Sequence, residues 1–540
     1  MSDSQRLLNR MERLNEIGIA LSAEQDINRL LEKILLGAKS ITNADGGTLY
    51  SVDHELGHVK MEIVSTDSLK FSMGGTSGIK IPFPPIPLVD ENGVPNERMV
   101  VTHSVLHAET VNIPDAYDAE GFDFSGTRKF DEKTNYHSKS FLTIPLKNHE
   151  NDVIAVLQLL NAQHETTGEI IPFSPNAQRL TESLASQAAI ALTNRRLIND
   201  LNNFLESLIQ LIATAIDEKS PYTGGHCRRV PVLTMLLADE AHDAQEGALR
   251  DFHMTAAERH ELEIAAWLHD CGKITTPEYV VDKATKLETI YDRVDVVKTR
   301  FEVLKRDAEI TRLNQRVAAL EKGEKPDDAA LNQQYQVTID ALSEELEFVQ
   351  RHNTGGEFMK AEHQQRISEI ANHRYQLGGE EVALLSDDEI YNLTIAKGTL
   401  TPEEREIINN HIVATINMLE ALPFPKHLKN VPEYAGGHHE RMDGKGYPRG
   451  LTGDQMSVQA RAMAIADIFE ALTAKDRPYK KGMPLSKALF ILGKMKEEHH
   501  VDPDLFDLFV KKRVFERYAL EHLDESQRDE VDLSGLPRHA

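Results

Sequence analysis

Hydrophobic positions at the start of the chain recur every three or four residues, which is the spacing of one helix face. The pattern runs through LNEIGIALSAEQDINRLLEKILLGAKSIT and predicts helix over residues 1–45. Between about residues 45 and 165, short apolar runs such as HVKMEIVST and DVIAVLQLLN are bounded by Gly, Asp and Asn. Such runs are typical of strands joined by turns. Together the two patterns predict an α+β module.

A long helical pattern without internal Pro or Gly follows over residues 176–217 and predicts one connecting helix. Its apolar residues form an approximate stripe, made of Leu180, Leu184, Ala188, Leu192, Leu201, Leu205, Leu208 and Ile212. A narrow apolar stripe on an otherwise polar helix favours burial against a second copy, so we expect a parallel homodimer. Packing of the stripe against the helix's own domain is the alternative.

The chain after Ser220 is dominated by helical periodicity, with Pro and Gly clustered in one loop, GGHHERMDGKGYPRGLTGD. Residues 286–397 form a charged segment whose helical pattern is broken at KGEKPDD, which predicts an inserted helical hairpin. The pattern resumes at GTLTPEEREIINNH. There Thr401, Pro402 and Glu404 predict a capping box with proline at the first helical position.

Length and charge narrow the classes of protein to which the chain can belong. With 540 residues it exceeds one typical core, so two or three domains are expected. It contains no long apolar run and its N-terminus lacks the apolar centre of a secretion signal, so we expect a cytoplasmic protein without membrane insertion. The formal charge of −26 argues against nucleic acid as a partner. Cys227 and Cys271 are too few for a disulfide framework.

The pair His269-Asp270 ends the apolar helical pattern LEIAAWLHDCGK. A buried imidazole and carboxylate are costly there unless they are paired or bound to metal. Lys273 follows four residues after His269, which predicts that its ammonium lies on the same helix face, where it can hold a phosphate or protonate a leaving oxygen. Most isolated His-Asp pairs are simply hydrogen-bonded, so this pair needs support from elsewhere in the chain.

That support comes from other histidines and one further aspartate. His226 precedes a predicted helix, the doublet His438-His439 opens the Gly-rich loop, and His411 and Asp467 lie in helical patterns. Consecutive histidines project in different directions, so the doublet suits a shared cage better than one helix face. In all, five histidines and two aspartates can fill the inner shells of two metals, and this donor set suits iron, manganese or zinc.

The ordered set of these residues, together with HHERMDGKGYP, resembles the HD-GYP family. The likeness covers about residues 205–520 apart from the insertion, leaves residues 521–540 as a C-terminal tail, and extends to PRGLTGD, ALTAKDRPYKKGM and HHVDPDLFDLF. The resemblance implies an all-α HD-type metallophosphohydrolase domain. It also implies hydrolysis of cyclic di-GMP to pGpG, GMP or both.

The resemblance further implies two divalent metal ions, iron or manganese, bridged by Asp270. The implied ligands are His226, His269, Asp270, His411, His438, His439 and Asp467. Asp270 and Lys273 are the implied catalytic residues, and Lys273 also binds the scissile phosphate. The implied substrate-binding residues are Lys273, Gly446, Tyr447, Pro448, Arg477 and Lys480. Some family members hold a third metal with a glutamate where this chain has Tyr222, so two metals are expected, without an organic cofactor.

The stretch from KFDEKTNYHSKSFLTIPLK to PFSPNAQRLTESLASQAAIAL resembles a GAF domain, a sensory fold. The likeness covers about residues 12–195, and the flanking helices extend the module to 1–195. Of the residues typical of cyclic-nucleotide-binding GAF domains, Asn161 and Phe173 match, whereas Ala162 replaces a lysine and SPNAQ lacks the acidic pair. We therefore expect either a small-molecule ligand in a pocket behind residues 121–140 or a purely structural, dimerising role.

These features predict a GAF-regulated phosphodiesterase for cyclic di-GMP, with cyclic GMP-AMP as the close alternative substrate. A second class is a non-catalytic scaffold that binds cyclic dinucleotides and signals through partner contacts, for example at the insertion. A third is a nucleotide triphosphohydrolase of the wider HD group. That class leaves unexplained the loop that contains Gly446, Tyr447 and Pro448, here called the GYP loop. Cysteines next to His226 and His269 are interpreted as packing residues, with redox sensing as the alternative.

Overall fold

The computed structural model describes residues 3–219, 225–355, 358–475 and 482–536. Contacts between residues divide the chain into two compact units, 1–204 and 205–540, and each unit has a hydrophobic core of its own. Among the described residues, no helix combines the length and apolarity needed to cross a membrane.

The first unit is built on an antiparallel sheet. Its helices are α1 (Asp3–Ser22), α2 (Ile27–Thr42), α3 (Val100–His107), α4 (Ser125–Thr134) and the first part of α5 (Pro175–Lys219). Its strands are β1 (Ala44–Asp53), β2 (His58–Thr66), β3 (Phe71–Gly74), β4 (Ile86–Pro87), β5 (Val111–Ile113), β6 (Phe141–Lys147), β7 (Val153–Gln163) and β8 (Ile170–Ile171). The strand order is β3-β2-β1-β7-β6-β5, with β4 paired to β2 and β8 to β7. The predicted α+β class is confirmed.

The N-terminal helical region is interrupted, whereas the sequence predicts helix throughout residues 1–45. The break covers residues 23–26, and α2 begins directly after Asp26. The side chain of Asp26 accepts a hydrogen bond from the backbone N–H of Arg29. An aspartate in this position satisfies a donor that a helix start leaves without a partner, so it begins a new helix and does not continue the first.

The predicted connecting helix is present as α5, but the predicted dimer stripe is partly wrong. Leu184, Ala188 and Leu192 lie in the core of the first unit, so for them the alternative, packing against their own domain, is correct. The sheet needs a helical cover for its apolar face, and this part of α5 provides it. An apolar row on α5 is exposed, and it combines Leu201 and Leu208 of the predicted stripe with Ile190, Leu197, Phe204 and Leu211.

The second unit contains helices and one small hairpin, which confirms the all-α HD-type part of the predicted fold class. Before and within the insertion lie α6 (His226–His242), α7 (Ala256–Leu268), α8 (Glu278–Val281), α9 (Val294–Glu321), α10 (Asp328–Asn353), α11 (Ala361–Ile370), β9 (Arg374–Leu377), β10 (Glu380–Ala383) and α12 (Asp387–Leu393). After it lie α13 (Pro402–Asn409), α14 (His411–Glu420), α15 (Val431–Gly436), α16 (Val458–Thr473), α17 (Leu485–Glu497), α18 (Pro503–Lys511) and α19 (Val514–His522).

The insertion contains the helical hairpin that the charge pattern predicts, formed by α9 and α10. Gly323, at φ +71°, and the N-cap Asp327 lie in the turn between them. The insertion continues beyond the hairpin through α11, the β9–β10 hairpin and α12, and it has a separate core that includes Phe301, Val349 and Ile367. A separate core explains how a segment of this length can interrupt the domain without disturbing the helices that follow.

Candidate metal centre

The seven predicted ligand residues come together inside the second unit. They form two groups, and within each group the ligand atoms lie within 4.8 Å of one another. The first group is His226, His269 and Asp467, and the second is Asp270, His411, His438 and His439. Apart from Asp467, which lies within α16, these residues lie at a helix end or within three residues of one. Several chain segments therefore meet at one buried point.

The turn after α7 differs from the sequence-based expectation. Lys273 was expected on the same helix face as His269, but α7 ends at Leu268 and residues 271–275 form a 3-10 helix. In that tighter turn the side chains three residues apart are neighbours, so the Lys273 Nζ lies 2.5 Å from the Asp270 Oδ2. Gly272 permits α14 to approach this turn closely, because a Cβ there would overlap the carbonyl oxygen of His411.

Asp270 lies between the two groups. Its Oδ2 is 3.2 Å from the His226 Nε2 and 3.3 Å from the His269 Nε2, whereas its Oδ1 is 3.2 Å from the His411 Nε2. Burial opposes ionisation of this carboxyl, but its neighbours, led by the charge of Lys273, outweigh burial and hold the pKa of Asp270 well below its usual range. One ionised carboxylate therefore faces both groups, which is the arrangement of a bridging ligand.

Backbone carbonyls orient three of the imidazoles. The Nδ1 of His269 donates to the carbonyl of Ala266 at 2.7 Å, and the Nδ1 of His438 donates to that of Ala435 at 2.6 Å. The Nδ1 of His411 likewise donates to the carbonyl of Ile408. When Nδ1 carries the proton, Nε2 presents its lone pair, so these Nε2 atoms point into the centre as acceptors.

The donor set fits cations. The Nε2 atoms of His411 and His439 are 3.1 Å apart, a distance at which two lone pairs repel unless a proton or a metal lies between them. Within the described residues, the buried His438 Nε2 and Asp270 Oδ1 have no hydrogen-bond partner. Burial lowers the pKa of His438 to about 4, so its imidazole is neutral, which is the form that binds metal. The two groups can therefore hold divalent metal ions.

Glu470 is a functional candidate that the sequence analysis missed. It is fully buried, it contacts the Nδ1 of His226, and its other oxygen accepts a hydrogen bond from the Arg229 Nε at 2.7 Å. A carboxylate on the second nitrogen of a metal-binding histidine fixes the tautomer and raises the basicity of the ligand. The available signal was the position of Glu470, three residues after Asp467 on the same predicted helix.

We expect Glu470→Gln to weaken metal binding by about 10- to 100-fold, because His226 loses its charged partner. The measurement is titration of the metal-free protein with Mn²⁺. Glu389→Gln is the matched control, since Glu389 is also buried and pairs with an arginine, Arg300, at 2.6 Å, but lies in the insertion. Equal Mn²⁺ affinity of Glu470→Gln and the unmodified chain would contradict the role of Glu470.

The GYP loop lies against the second group. The ring of Tyr447 stacks on that of His439 with centroids 4.9 Å apart, and the backbone N–H of Tyr447 donates to the carbonyl of His439. A Cβ on Gly446 would overlap the backbone of Glu440, so only glycine fits there. Pro448 follows in the same loop, at a cis peptide bond. The loop residues thus lie beside the ligands, and their role in binding substrate remains a proposal.

Glu440 holds this loop in place, which the sequence analysis also missed. Its buried carboxylate accepts hydrogen bonds from the backbone N–H groups of Arg449 at 2.7 Å and Leu451 at 2.9 Å. The predicted substrate-binding residues Arg477 and Lys480, like Tyr222, lie outside the described residues.

Two further expectations concern residues now seen to be buried. Burial raises the pKa of the Cys271 thiol to about 11 and that of Cys227 well above its usual value, which favours packing over redox sensing.

In the first unit, Asn161 is fully buried, and its side chain is hydrogen-bonded to the backbone of His137 and Lys139. Its amide is therefore used to hold the loop before β6.

Comparison with known protein families identifies two domains in the chain. The GAF domain profile matches residues 26–192, and the HD domain profile matches residues 358–505. The chain carries a GAF domain and an HD domain. The match to the HD domain profile begins at residue 358, within the insertion. His226 and His269-Asp270 therefore precede the matched region. The predicted combination of the two domains is confirmed.

Three relatives of this chain are named as phosphodiesterases. The 3'3'-cGAMP-specific phosphodiesterase 3 of Vibrio cholerae is 27% identical over 305 residues, which is 56% of this chain and 38% of the relative. The 3'3'-cGAMP-specific phosphodiesterase 1 of the same species is 34% identical over 28% of this chain and 37% of the relative. The cyclic di-GMP phosphodiesterase of Thermotoga maritima is 32% identical over 25% of this chain and 37% of the relative. The chain thus spans less than two fifths of the length of these relatives.

Among solved structures, the GAF domain of a phosphoenolpyruvate-protein phosphotransferase from Coxiella burnetii is 13% identical and covers 37% of this chain. That match takes in 99% of the solved chain with a TM-score of 0.27. The assignment of the GAF domain therefore rests on the profile match and on the sheet described above.

Proposed function

We propose that the second unit is a metal-dependent phosphodiesterase that hydrolyses cyclic di-GMP to pGpG, GMP or both, and that the GAF domain regulates it. The observation that carries the proposal is the position of Asp270, whose two oxygens face the two ligand groups. Lys273 lies directly beside it. Two metal sites joined by one carboxylate, with a cation next to them, suit the displacement of an oxygen at a phosphodiester.

The proposed chemistry divides between the metals and the side chains. Divalent metal ions, when bound, polarise a phosphoryl oxygen and activate water. Asp270 and Asp467 hold negative charge between the histidines, and the carbonyl contacts of His269 and His438 keep their Nε2 atoms directed inward. The stacking of Tyr447 keeps the ring of His439 in its orientation. These contacts preorganise the site before substrate enters.

Lys273 is the proposed phosphate-binding cation. Burial disfavours its charge, but the carboxylates of Asp270 and Asp467 outweigh burial and raise its pKa above the usual value. The side chain of Lys273 is partly exposed, and we propose that a non-bridging phosphate oxygen contacts its ammonium. The net charge of −26 repels a dianionic substrate, which makes such a local cation necessary. Arg477 and Lys480 are proposed as further phosphate-binding cations.

Cyclic GMP-AMP is the second candidate substrate. The relative with the longest alignment among those described above is named as specific for 3'3'-cGAMP. The test is product analysis on both cyclic dinucleotides after anaerobic loading with iron or manganese. Cleavage of cyclic di-GMP supports the first proposal, and selective cleavage of cyclic GMP-AMP supports the second. If neither is cleaved by protein that contains two metals, the non-catalytic scaffold is favoured.

We also propose a parallel homodimer through α5. The exposed residues Leu197, Leu201, Phe204, Leu208 and Leu211 are spaced by four, three, four and three residues, which is the heptad pattern of a two-stranded coiled coil. The exposed Asn194 lies at the preceding core position of the same pattern. A single asparagine there specifies register and a two-stranded state.

Leu201→Lys is expected to raise the dissociation constant of this dimer by on the order of 100-fold, because two ammonium groups would face each other across the seam. Sedimentation velocity over a range of micromolar concentrations measures the change. Leu520→Lys is the matched control, since Leu520 is 67% exposed on α19 and lies outside the pattern. A monomeric unmodified chain would contradict the proposal.

A further inference from the structure

The last turn of α5 contacts the start of the helix that carries His226. Asp217 is 4% exposed, and its two carboxylate oxygens accept hydrogen bonds from the backbone N–H groups of Gly225 at 3.1 Å and Cys227 at 3.2 Å. These two N–H groups flank His226, the first residue of α6. Gly225 has no side chain with which to cap that helix, so the carboxylate from α5 satisfies its first donors and complements the positive end of its dipole.

The same turn of α5 also contacts the segment that carries Lys273. The ammonium of Lys219 donates to three backbone carbonyls, those of Lys273 at 3.4 Å, Ile274 at 2.5 Å and Thr276 at 2.8 Å. An ammonium has three donors, so these contacts occupy all of them. The carbonyls belong to the end of the 3-10 helix that directly follows Asp270. The ammonium thus adds to the backbone hydrogen bond that the N–H of Thr276 donates to the carbonyl of Lys273 at this helix end.

We propose that Asp217 and Lys219 are positioning residues, through which the end of α5 sets both the placement of His226 and that of the turn carrying Asp270 and Lys273. The inference rests on the proposed function of the metal centre. The two residues are separated by one position on a rigid helix, so a rotation or shift of that helix end displaces both contacts together. The end of α5 is therefore mechanically connected to the first ligand group and to the phosphate-binding cation.

The Asp217 contact is tested by metal affinity. In the full-length protein, Asp217→Asn is expected to raise the dissociation constant for Mn²⁺ by about 10-fold, because His226 loses its fixed position. Asp502→Asn is the matched control, since Asp502 is also buried and accepts hydrogen bonds from the backbone N–H groups of Asp504 and Leu505 at the start of α18. An unchanged affinity in Asp217→Asn overturns the proposal, and so does an equal loss in the control.

The Lys219 contact is tested by amide hydrogen exchange and by kinetics. Lys219→Met is expected to increase exchange in residues 271–276 and to raise KM for the cyclic dinucleotide by about 10-fold, with Mn²⁺ affinity changed by less than about 3-fold. Lys219→Arg should restore both values, because a guanidinium also donates to several carbonyls. Lys512→Met is the control, since Lys512 forms an ion pair with Glu240 elsewhere in the unit.

The positioning role and the proposed activity can fail independently. If the unmodified protein cleaves no cyclic dinucleotide, the proposed function fails, while Mn²⁺ affinity and amide exchange still decide whether Asp217 and Lys219 position the centre. If Lys219→Met leaves exchange of residues 271–276 unchanged, the inference for Lys219 is wrong even in an active enzyme. Thermal unfolding of each metal-free variant identifies any that have lost the fold. If Asp217→Asn is among them, Asp217→Glu is used instead, and its longer side chain, which moves the carboxylate away from Gly225 and Cys227, is expected to lower Mn²⁺ affinity in the same direction.

Discussion

Asp270→Asn should lower the rate of cyclic dinucleotide hydrolysis by on the order of 1000-fold and prevent stable binding of two metals. The carboxylate is the group that both ligand clusters share, with one oxygen toward His226 and His269 and the other toward His411. An amide replaces one of these oxygens with a donor and removes the negative charge. Initial rates and the metal content of the purified protein measure the two effects.

The control for this variant is Asp502→Asn, which changes a buried aspartate of the same unit that contacts Arg461 and the start of α18. It should keep both metals and nearly the full rate. If Asp270→Asn kept two metals per chain and more than about a tenth of the rate, the bridging assignment would be wrong. Loss of activity with metals retained would instead restrict Asp270 to a role in substrate chemistry.

Lys273→Met should separate substrate binding from metal binding. We expect kcat/KM to fall by about 10- to 100-fold, since a charge-assisted contact to phosphate is lost. Metal affinity should stay the same or increase, because the ammonium that now neutralises Asp270 at 2.5 Å is removed. Steady-state kinetics at saturating Mn²⁺, together with Mn²⁺ titration, measure both quantities on the same preparation.

The matched control is Lys496→Met, because Lys496 is also paired with an aspartate, Asp507, at 2.6 Å, and is more deeply buried than Lys273. Any general effect of removing a buried lysine from this unit should appear in that variant too. A loss of metal in Lys273→Met, absent from Lys496→Met, would contradict the proposed role and make Lys273 part of the metal-binding arrangement. Unchanged kcat/KM would exclude Lys273 as a phosphate-binding residue.

Much of the local structure could be predicted from the sequence, because it depends on neighbouring residues. The capping box at Thr401 and Glu404 is present, with Pro402 in the first turn of its helix. The break at KGEKPDD does separate two helices. In each case the signal and its consequence lie within a few residues of one another, so burial elsewhere in the molecule does not change the outcome.

Predictions failed where a helix face or a helix end depends on distant partners. Half of the expected dimer stripe on α5, including Leu184 and Ala188, is buried by the sheet, and periodicity by itself cannot tell which surface covers an apolar face. The prediction that Lys273 shares a helix face with His269 was wrong, because α7 ends at Leu268. Residues 271–275 then form a 3-10 helix that packs against α14. Gly272 permits the close approach of α14, but the residues that it meets there, His411 and Thr415, lie far along the chain.

The sequence by itself determined which side chains can bind metal, since residue types, their order and their spacing are properties of the chain. Only the tertiary structure decided how they are supported. Glu470 meets His226 across 244 positions of sequence, and Lys219 meets the carbonyl of Thr276 across 57. Such contacts form because folding buries polar groups that must then find partners, and which partners they find depends on how the helices pack.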